Sequence, residues 1–270
     1  MAELPWQLDL VKYSLKKKEK VDLIRRHIRL RPRERALDLG CAQGILSHFL
    51  RRRGGWWVST DLDFGNLRTS RELLGDNLVQ MGIPALPFKT GAFDHVVCLD
   101  YLEHVDDDDG TLAEIRRVLK PGGRLLLITP HAGPFFMLQK IRPMVGLKLE
   151  FYGHKREGYS RLELEAKLGR AGFRLTGSTT YARFFTELLE LVLNALYVNV
   201  LSAKPQSRLR DGHIRPSTPD EFAGQKTAFR LYKLVYPVFR LASRLDTLLF
   251  FQRGYALMVR AVGEEGRDGR

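Results

Sequence analysis

The 270-residue chain contains few cysteines and no long uncharged apolar run. Cys41 and Cys98 are its two cysteines, and both lie in or beside predicted buried strands. Thiols in such places are expected to be small buried side chains in a reducing compartment rather than a disulfide, and two are too few for a zinc cluster. No stretch of about 18 apolar residues is free of charge, so no membrane-spanning helix is expected.

The first residues also lack the layout of a secretory signal peptide. Residues 1–6 do not run from a basic to an apolar segment, and the lysines at 16–18 follow too late to supply the basic part. We therefore expect a cytoplasmic protein.

Charge of one sign is in excess. The formal net charge is +13, from 44 Lys and Arg against 31 Asp and Glu. Such an excess favours a polyanionic partner, either nucleic acid or the anionic inner face of a membrane. Many soluble proteins are also basic, so charge alone does not choose between these interpretations.

One stretch, from Arg35 to Leu50, organises the rest of the chain. It predicts a short apolar strand over residues 36–39, a turn containing Gly40 and Gly44, and a helix that begins near Ile45. Glycines allow a sharp turn and let a ligand lie against bare backbone. The first N–H groups of the helix then point at that ligand, which indicates a nucleotide-type site.

Strands and helices alternate after this turn. The further strands are predicted at residues 56–60, 93–99 and 124–129, with helices at 66–75 and 112–119. This alternation predicts a mostly parallel, doubly wound α/β sheet, in which ligands bind beyond the carboxyl ends of the strands. Asp61 follows the glycine turn by about 20 positions, where a ribose-binding carboxylate is expected, and Asp63 is placed to cap the next helix.

Residues 8–30 carry an amphipathic helical pattern with basic residues on its polar side. The lysine-rich run from Lys16 to Lys20 is expected to interrupt that pattern and to form a solvated basic face. The segment is expected to pack on the sheet edge or to cover the ligand.

Several motifs together resemble one family. They are Leu37-Asp-Leu-Gly-Cys-Ala-Gln-Gly44, Asp61, Leu86-Pro-Phe88, Phe93-Asp94, Glu103-His104 and Arg117-Val-Leu-Lys-Pro-Gly-Gly123. Their order and spacing resemble class I S-adenosylmethionine-dependent methyltransferases, in the small-molecule branch that includes the ubiquinone and menaquinone methyltransferases. A nicotinamide-binding protein would instead show Gly-x-Gly-x-x-Gly, which this turn does not contain.

The resemblance implies a fold and a set of boundaries. The fold is α/β, with a doubly wound, mostly parallel seven-stranded sheet and a helical insertion before an antiparallel last strand. Residues 1–181 would form the core with its N-terminal helix, and 182–252 the helical insertion. Residues 253–262 would be the final strand, and 263–270 a tail.

The resemblance also implies a cofactor, S-adenosylmethionine, and residues that hold it. The implied cofactor-binding residues are Asp38 at the amino group, Gly40, Cys41, Ala42 and Gly44 along the methionine moiety, Asp61 at the ribose, Leu62 on the adenine, and Asp100 with Tyr101 near the sulfonium. The family often has an acidic residue that binds the adenine amine, but here the segment is Met81-Gly82-Ile83. An inactive, donor-binding protein therefore stays an alternative.

Three histidines are candidates for a general base. Methyl transfer is mainly a matter of alignment and exclusion of water, but some acceptors also need a base near neutral pH. His131 is expected at the pocket mouth and His154 on a lid loop, and we favour these two as catalytic candidates over His104, which is equally compatible with a structural role. The aspartates at 106–109 are explained by the positive helix N-terminus, so no metal is expected.

The insertion holds two apolar segments separated by a polar loop at residues 203–224. The first, residues 184–201, places Glu187, Glu190 and Asn194 on one face. The second, residues 229–251, carries an aromatic stripe flanked by basic residues, namely Phe229, Tyr232, Tyr236 and Phe239 beside Arg230, Lys233, Arg240 and Arg244. This pattern predicts either a contact with an anionic membrane surface and a small lipid or isoprenoid-like acceptor, or simple packing on the core. RNA is less favoured as an acceptor because no RNA-binding module is evident.

Overall fold

The computed structural model describes residues 8, 11–82, 85–132, 137–145, 149–196, 209–210, 213–214, 226–249 and 251–264. Its strands are β1 Arg35–Leu39, β2 Trp56–Asp61, β3 Leu78–Gln80, β4 Phe93–Leu99, β5 Leu119–Pro130, β6 Phe173–Tyr181, β7 Leu209–Arg210, β8 His213–Ile214 and β9 Ala256–Gly263. Its α-helices are α1 Leu15–His27, α2 Ile45–Arg51, α3 Phe64–Leu74, α4 Asp108–Val118, α5 Met137–Ile141, α6 Leu149–Tyr152, α7 Arg161–Arg170, α8 Phe184–Leu196 and α9 Lys226–Ser243.

Seven strands form one sheet in the order β3-β2-β1-β4-β5-β9-β6. Pairs among the first five are parallel, whereas β9 inserts antiparallel between β5 and β6. The strand order runs outward in opposite directions from the neighbouring strands β1 and β4. Such a switch point opens a crevice at the carboxyl ends of the strands. The predicted doubly wound sheet with an antiparallel last strand is confirmed.

Both faces of the sheet are covered, as a parallel sheet requires. On one face, α4 and α7 contribute the fully buried Leu112, Ile115 and Leu164. On the other face, α1 and α2 contribute Ile24 and Leu50. The strands are therefore apolar on both sides, which is why they read as continuous hydrophobic runs in the sequence.

The N-terminal helix α1 runs through the lysine-rich segment, so the predicted interruption is wrong. Ser14 caps it by accepting a hydrogen bond from the Lys17 N–H, and the helix continues to His27. Lysine is a good helix former, and its long stem can be buried while its amine finds a partner. Lys20 does this: it is only 8% exposed and pairs with a carboxylate.

The insertion before β9 contains α8, α9, a 3₁₀ helix over Arg244–Leu249 and the short β7–β8 hairpin. Asp246 anchors the 3₁₀ helix to the start of α8, since its carboxylate accepts hydrogen bonds from the N–H groups of Phe185 and Thr186 at 2.8 and 3.0 Å. Apart from that hairpin, the predicted polar loop at 203–224 lies outside the described residues, as does most of the tail. Among the described helices, none combines the length and apolar character needed to cross a bilayer.

Candidate active site

The turn between β1 and α2 needs both of its glycines. Gly40 and Gly44 each have a φ of +79°, which side-chain-bearing residues rarely adopt. A Cβ on Gly40 would lie 2.5 Å from Cδ2 of Tyr101, and one on Gly44 would lie 2.9 Å from Cβ of Ser70. Ala42, between them, has a φ of +46° and is held in this strained conformation by its surroundings.

Asp38 presents an unsatisfied buried oxygen beside this turn. The residue is 2% exposed, and its Oδ2 has no hydrogen-bond partner in the described structure. Burial raises its pKa to about 6, while hydrogen bonds with Ser47 and Ser59 act in the opposite direction. A buried carboxyl oxygen without a donor favours a cationic ligand group such as an ammonium.

Asp61 ties the glycine turn to the turn that follows β2. Its Oδ2 accepts a hydrogen bond from the Ala42 N–H at 2.8 Å, and its Oδ1 accepts from the Asp63 N–H at 3.0 Å and from Asn66 Nδ2 at 3.1 Å. The side chain lies at the predicted edge, and much of its hydrogen-bonding capacity is already engaged by the protein. Asn66 was not anticipated from the sequence.

Asp63, Leu62 and Cys41 also lie at this edge. Asp63 caps α3 by accepting the Asn66 N–H at 2.8 Å, as predicted. Leu62 is half-buried and packs against the main core cluster. Cys41 is buried and free, and burial raises the pKa of its thiol far above the ordinary range. That thiol therefore stays protonated and acts as a small apolar group.

The carboxyl end of β4 is covered by α1. Asp100, with a φ of +49°, forms an ion pair with the buried Lys20, and Tyr101 beside it is 7% exposed. The Glu19 carboxylate accepts a hydrogen bond from the Ala182 N–H at 2.8 Å, just after β6. These contacts fix α1 across the edge at which the predicted donor-binding residues meet.

A second buried charged cluster adjoins this edge. Arg142 and Lys16 both form ion pairs with Glu187 of α8, which is 3% exposed. The Tyr255 ring lies under both cations, with its centroid 4.4 Å from Arg142 Cζ and 4.4 Å from Lys16 Nζ. The sequence does not predict that these groups meet, because they lie in distant parts of the chain.

His131 lies just after β5 and is buried, and its place at a pocket mouth remains a prediction. It is 2% exposed, and its Nδ1 lies 3.0 Å from the Gly254 carbonyl oxygen. β9 reaches this position, since the His131 N–H donates to the Tyr255 carbonyl at 2.6 Å, and so the strand end is covered. Burial is the main cause that lowers the pKa of His131, which makes the ring neutral at pH 7.

His104 and His154 pack against each other. Their ring centroids are 4.8 Å apart in an edge-to-face arrangement, and His104 Nδ1 lies 2.9 Å from the Gly153 carbonyl oxygen. Burial, followed by the charge on His104, lowers the pKa of His154 to about 4. The loop that carries His154 is anchored, because the Lys155 N–H donates to the Glu103 carbonyl at 2.8 Å.

Glu103 is the most strongly perturbed carboxyl near this pair. It is fully buried, its Oε2 accepts from Thr129 Oγ1 at 3.3 Å, and its Oε1 is unpartnered in the described structure. Burial and the nearby charge of Asp100 raise its pKa to about 8. Ligand atoms of Glu103, His104 and His154 lie within 4.8 Å of one another, which is close enough to hold a metal ion. The expectation that no metal binds remains a prediction.

Several motif residues hold the framework rather than the ligand. Asp94 accepts hydrogen bonds from the Arg35 N–H at 2.9 Å and from Lys120 Nζ at 2.6 Å, which joins the starts of three strands. Arg117 donates to the carbonyls of Phe88 and Leu86 at 2.8 and 2.9 Å and pins the Leu86–Phe88 segment to α4. The sequence alone does not distinguish these framework roles of Asp94 and Arg117 from a role in donor binding.

The geometry fits a methyl donor of the S-adenosylmethionine type. Asp38 offers an unpaired oxygen for its ammonium, and the glycine turn offers bare backbone. The roles of Asp61 at the ribose and Leu62 at the adenine remain predictions. With the reversed last strand, this sheet and this edge define a Rossmann-like class I methyltransferase fold.

Comparison with known proteins agrees with this class. Residues 37–127 match the family model described as a methyltransferase domain. The ubiquinone biosynthesis O-methyltransferase of Xanthomonas oryzae is 35% identical over 106 residues, covering 37% of this chain and 44% of that protein. The ubiquinone/menaquinone biosynthesis C-methyltransferase of Shewanella piezotolerans is 32% identical over 130 residues, covering 44% and 51%.

A solved geranyl diphosphate methyltransferase superposes with a TM-score of 0.57 at 12% identity, covering 91% of this chain and 77% of that one. Residues 37–127 thus resemble a methyltransferase domain, the chain has the fold of class I S-adenosylmethionine-dependent methyltransferases, and the resemblance seen in the motifs is confirmed. The chain spans about half the length of the curated relatives it matches, at 44% and 51%.

Proposed function

We propose that the protein transfers the methyl group of S-adenosylmethionine to a small, apolar, lipid-like acceptor at a membrane surface. The observation that carries the proposal is the unpaired, buried Asp38 oxygen beside a strained glycine turn, at the switch point of the sheet. The relatives named for ubiquinone biosynthesis support a quinone-like acceptor. Because one is named as an O-methyltransferase and the other as a C-methyltransferase, they leave the methylated atom open.

When bound, S-adenosylmethionine supplies an electrophilic methyl group on a sulfonium. In this proposal Asp38 holds the donor's ammonium, and the Gly40–Gly44 backbone fixes the direction in which the methyl points. The helix α1, tied down by Lys20 and Glu19, covers part of the edge and limits the access of water to it. Alignment and exclusion of water are the main requirements of such a displacement.

A neutral histidine would receive the acceptor's proton. His131 and His154 remain the proposed bases, and both rings are neutral at pH 7 because burial lowers their pKa values. After burial and the charge of His104, the charges of Asp100 and Arg142 also influence the pKa of His154. A base with a pKa near 4 is weak, so an acceptor handled by His154 would need to be acidic already.

The surface of α9 supports contact with lipid. Three exposed apolar residues of α9 and two of the following 3₁₀ helix are spaced three or four apart, namely Leu234, Val238, Leu241, Leu245 and Leu248. Arg240, Arg244 and Arg253 are exposed on the same segment. An apolar face with basic neighbours is typical of a helix that lies in the interface of an anionic membrane.

This apolar face differs from the aromatic stripe expected from the sequence. Tyr236 points inward, packs on Tyr13 with ring centroids 5.3 Å apart, and accepts a hydrogen bond from Lys18 Nζ at 2.8 Å. The side chains of Phe229 and Tyr232 lie outside the described residues. Tyr236 therefore packs on the N-terminal segment, and the exposed aliphatic side chains form the surface that would meet lipid.

Two measurements test the proposal together. Cell extracts incubated with the protein and methyl-labelled S-adenosylmethionine should acquire label in the lipid fraction. Label in RNA would favour the alternative suggested by the net charge of +13, and donor binding without transfer would favour a non-catalytic protein. In vesicle flotation, the double variant Leu241→Ser/Leu248→Ser should lose binding to anionic vesicles. Leu162→Ser, on the exposed side of α7, is the matched control and should retain it.

A further inference from the structure

A separate cavity lies at the opposite edge of the sheet from the candidate active site. Its volume is about 210 Å³. It is formed by the first residues of β4, the β5 segment that pairs with them, the end of β9 and the residues just after α1. No residue assigned to donor or acceptor binding lines it.

The lining of this cavity is basic. Its lining residues include Arg29, Arg124 and Arg260 as well as His27 and His95, and they include no Asp or Glu. Within the described part of the chain, none of the three arginines forms an ion pair with a carboxylate. The nearest acidic contact belongs to His95, whose Nε2 lies 3.4 Å from Glu34.

Arg260 is the central group of this set. Its Nε is buried without a hydrogen-bond partner, and its guanidinium occupies the space that a side chain at Gly177 would need. Burial lowers the pKa of His27, and the charge of Arg260 lowers it further. At His95 burial also lowers the pKa, the charge of Glu34 raises it, and the charge of Arg124 lowers it. Arg260 and Arg124 thus disfavour the protonation of the two imidazoles.

Several guanidinium groups without counter-charges in one cleft are a recognition site for an oxyanion. A planar guanidinium presents paired N–H donors that match the oxygens of a phosphate, and a cleft lined by one sign of charge concentrates ions of the other sign. A typical pocket for a drug-sized ligand is about 300–1,000 Å³, so this cavity suits a single phosphate group better than a dinucleotide.

We infer that this cavity binds a small phosphate, either the inorganic ion or a phosphate monoester, through Arg124, Arg260 and Arg29. The site is independent of the proposed methyl transfer, because it uses none of the same residues and lies at the other edge of the sheet. Occupation of the site would neutralise the repulsion among its cations and stabilise the folded chain.

The test is calorimetric titration of the full-length protein with inorganic phosphate and, separately, with glycerol 3-phosphate. One saturable site is expected for at least one of these ligands. The ligand with the higher affinity identifies the source of the phosphate. Arg260→Gln and Arg124→Gln should each weaken binding about tenfold or more, because each removes a charge-assisted pair of hydrogen bonds. Arg68→Gln, an exposed arginine on α3, should leave the affinity within about twofold.

Arg124 is exposed, so its variant keeps the test valid if Arg260→Gln destabilises the fold. The inference would be overturned if neither small phosphate bound at millimolar concentration, or if the two cavity variants bound as well as the Arg68→Gln control. A third arm uses a short single-stranded RNA. Binding of RNA alone, lost in the same variants, would also overturn the inference and would assign the basic surface to a polymer.

Discussion

Lys20, a buried lysine of the N-terminal helix, forms an ion pair with Asp100 at the strained carboxyl end of β4. This pair joins two segments that are 80 residues apart in the chain. It places α1 over the edge where the glycine turn, Asp61 and Asp100 meet. The helix is thus a wall of the candidate active site, rather than a solvated basic surface.

Replacing Lys20 by Met should loosen α1. Since the Asp100 side chain is 42% exposed, solvent screens the pair, and the variant should lose only about 1 kcal/mol of unfolding free energy in urea. Amide hydrogen exchange in residues 15–27 should nevertheless become faster. Lys89→Met, at an exposed lysine, is the control. Unchanged exchange in α1 would mean that the pair does not hold the helix.

Glu103→Gln should change how stability depends on pH. The folded-state pKa of about 8 lies above the ordinary glutamate value, so the native state binds more protons than the unfolded state between the two values. Ionisation of Glu103 should therefore lower the unfolding free energy of the wild type as the pH rises from 5 to 8. A glutamine at this position does not ionise, so the variant should not lose this stability. Urea unfolding should show the variant gaining relative to wild type at pH 9 but not at pH 5. A parallel pH dependence of both proteins would contradict the assignment, and Glu165→Gln on α7 serves as a surface control.

Gly40→Ala and Gly91→Ala form a matched pair. Both positions have a positive φ, +79° and +66°, so both variants carry backbone strain. Only at Gly40 would the new Cβ collide with Tyr101, since nothing lies within 4 Å at Gly91. We expect Gly91→Ala to cost about 1 kcal/mol and Gly40→Ala about 1–3 kcal/mol more, together with a loss of donor affinity. Equal unfolding free energies for the two variants would show that the turn has room for a side chain.

The proposed base can be identified kinetically. Replacement of the acting histidine, by His131→Asn or His154→Asn, should reduce turnover by about 10²–10⁴-fold and leave donor affinity unchanged. His48→Asn, on α2, controls for loss of an imidazole. A histidine whose variant turns over at the wild-type rate is not the base. If both variants do so, the acceptor reacts without help from either one.

Local signals in the sequence were enough to predict the framework of the site. The glycine turn, the cap at Asp63 and the alternation of apolar strands with helices each depend on neighbouring residues, and the structure confirms them. The position of Asp61 followed from the same pattern, because the carboxyl ends of parallel strands meet at one edge.

Contacts between distant segments could not be predicted in this way. The burial of Lys20 depends on Asp100, and the covering of His131 depends on β9, which is more than a hundred residues later in the chain. Likewise, the hydrogen bonds from Arg117 to the Leu86–Phe88 segment give a framework role to residues that resemble a ligand-binding motif. A pattern of residue types contains no information on which partner a buried charge will meet.

The most direct test of the central claim is calorimetric titration of S-adenosylmethionine into the wild-type protein, Asp38→Asn and the exposed control Asp22→Asn. We predict one site in the wild type, unchanged affinity in the control, and about tenfold or greater weakening in Asp38→Asn, which loses the charge facing the ammonium. Since the pKa of Asp38 is about 6 in the free protein, wild-type affinity should also fall as pH drops below that value. Absence of binding in the wild type, or equal affinity in Asp38→Asn, would contradict the assignment of this edge as a methyl-donor site.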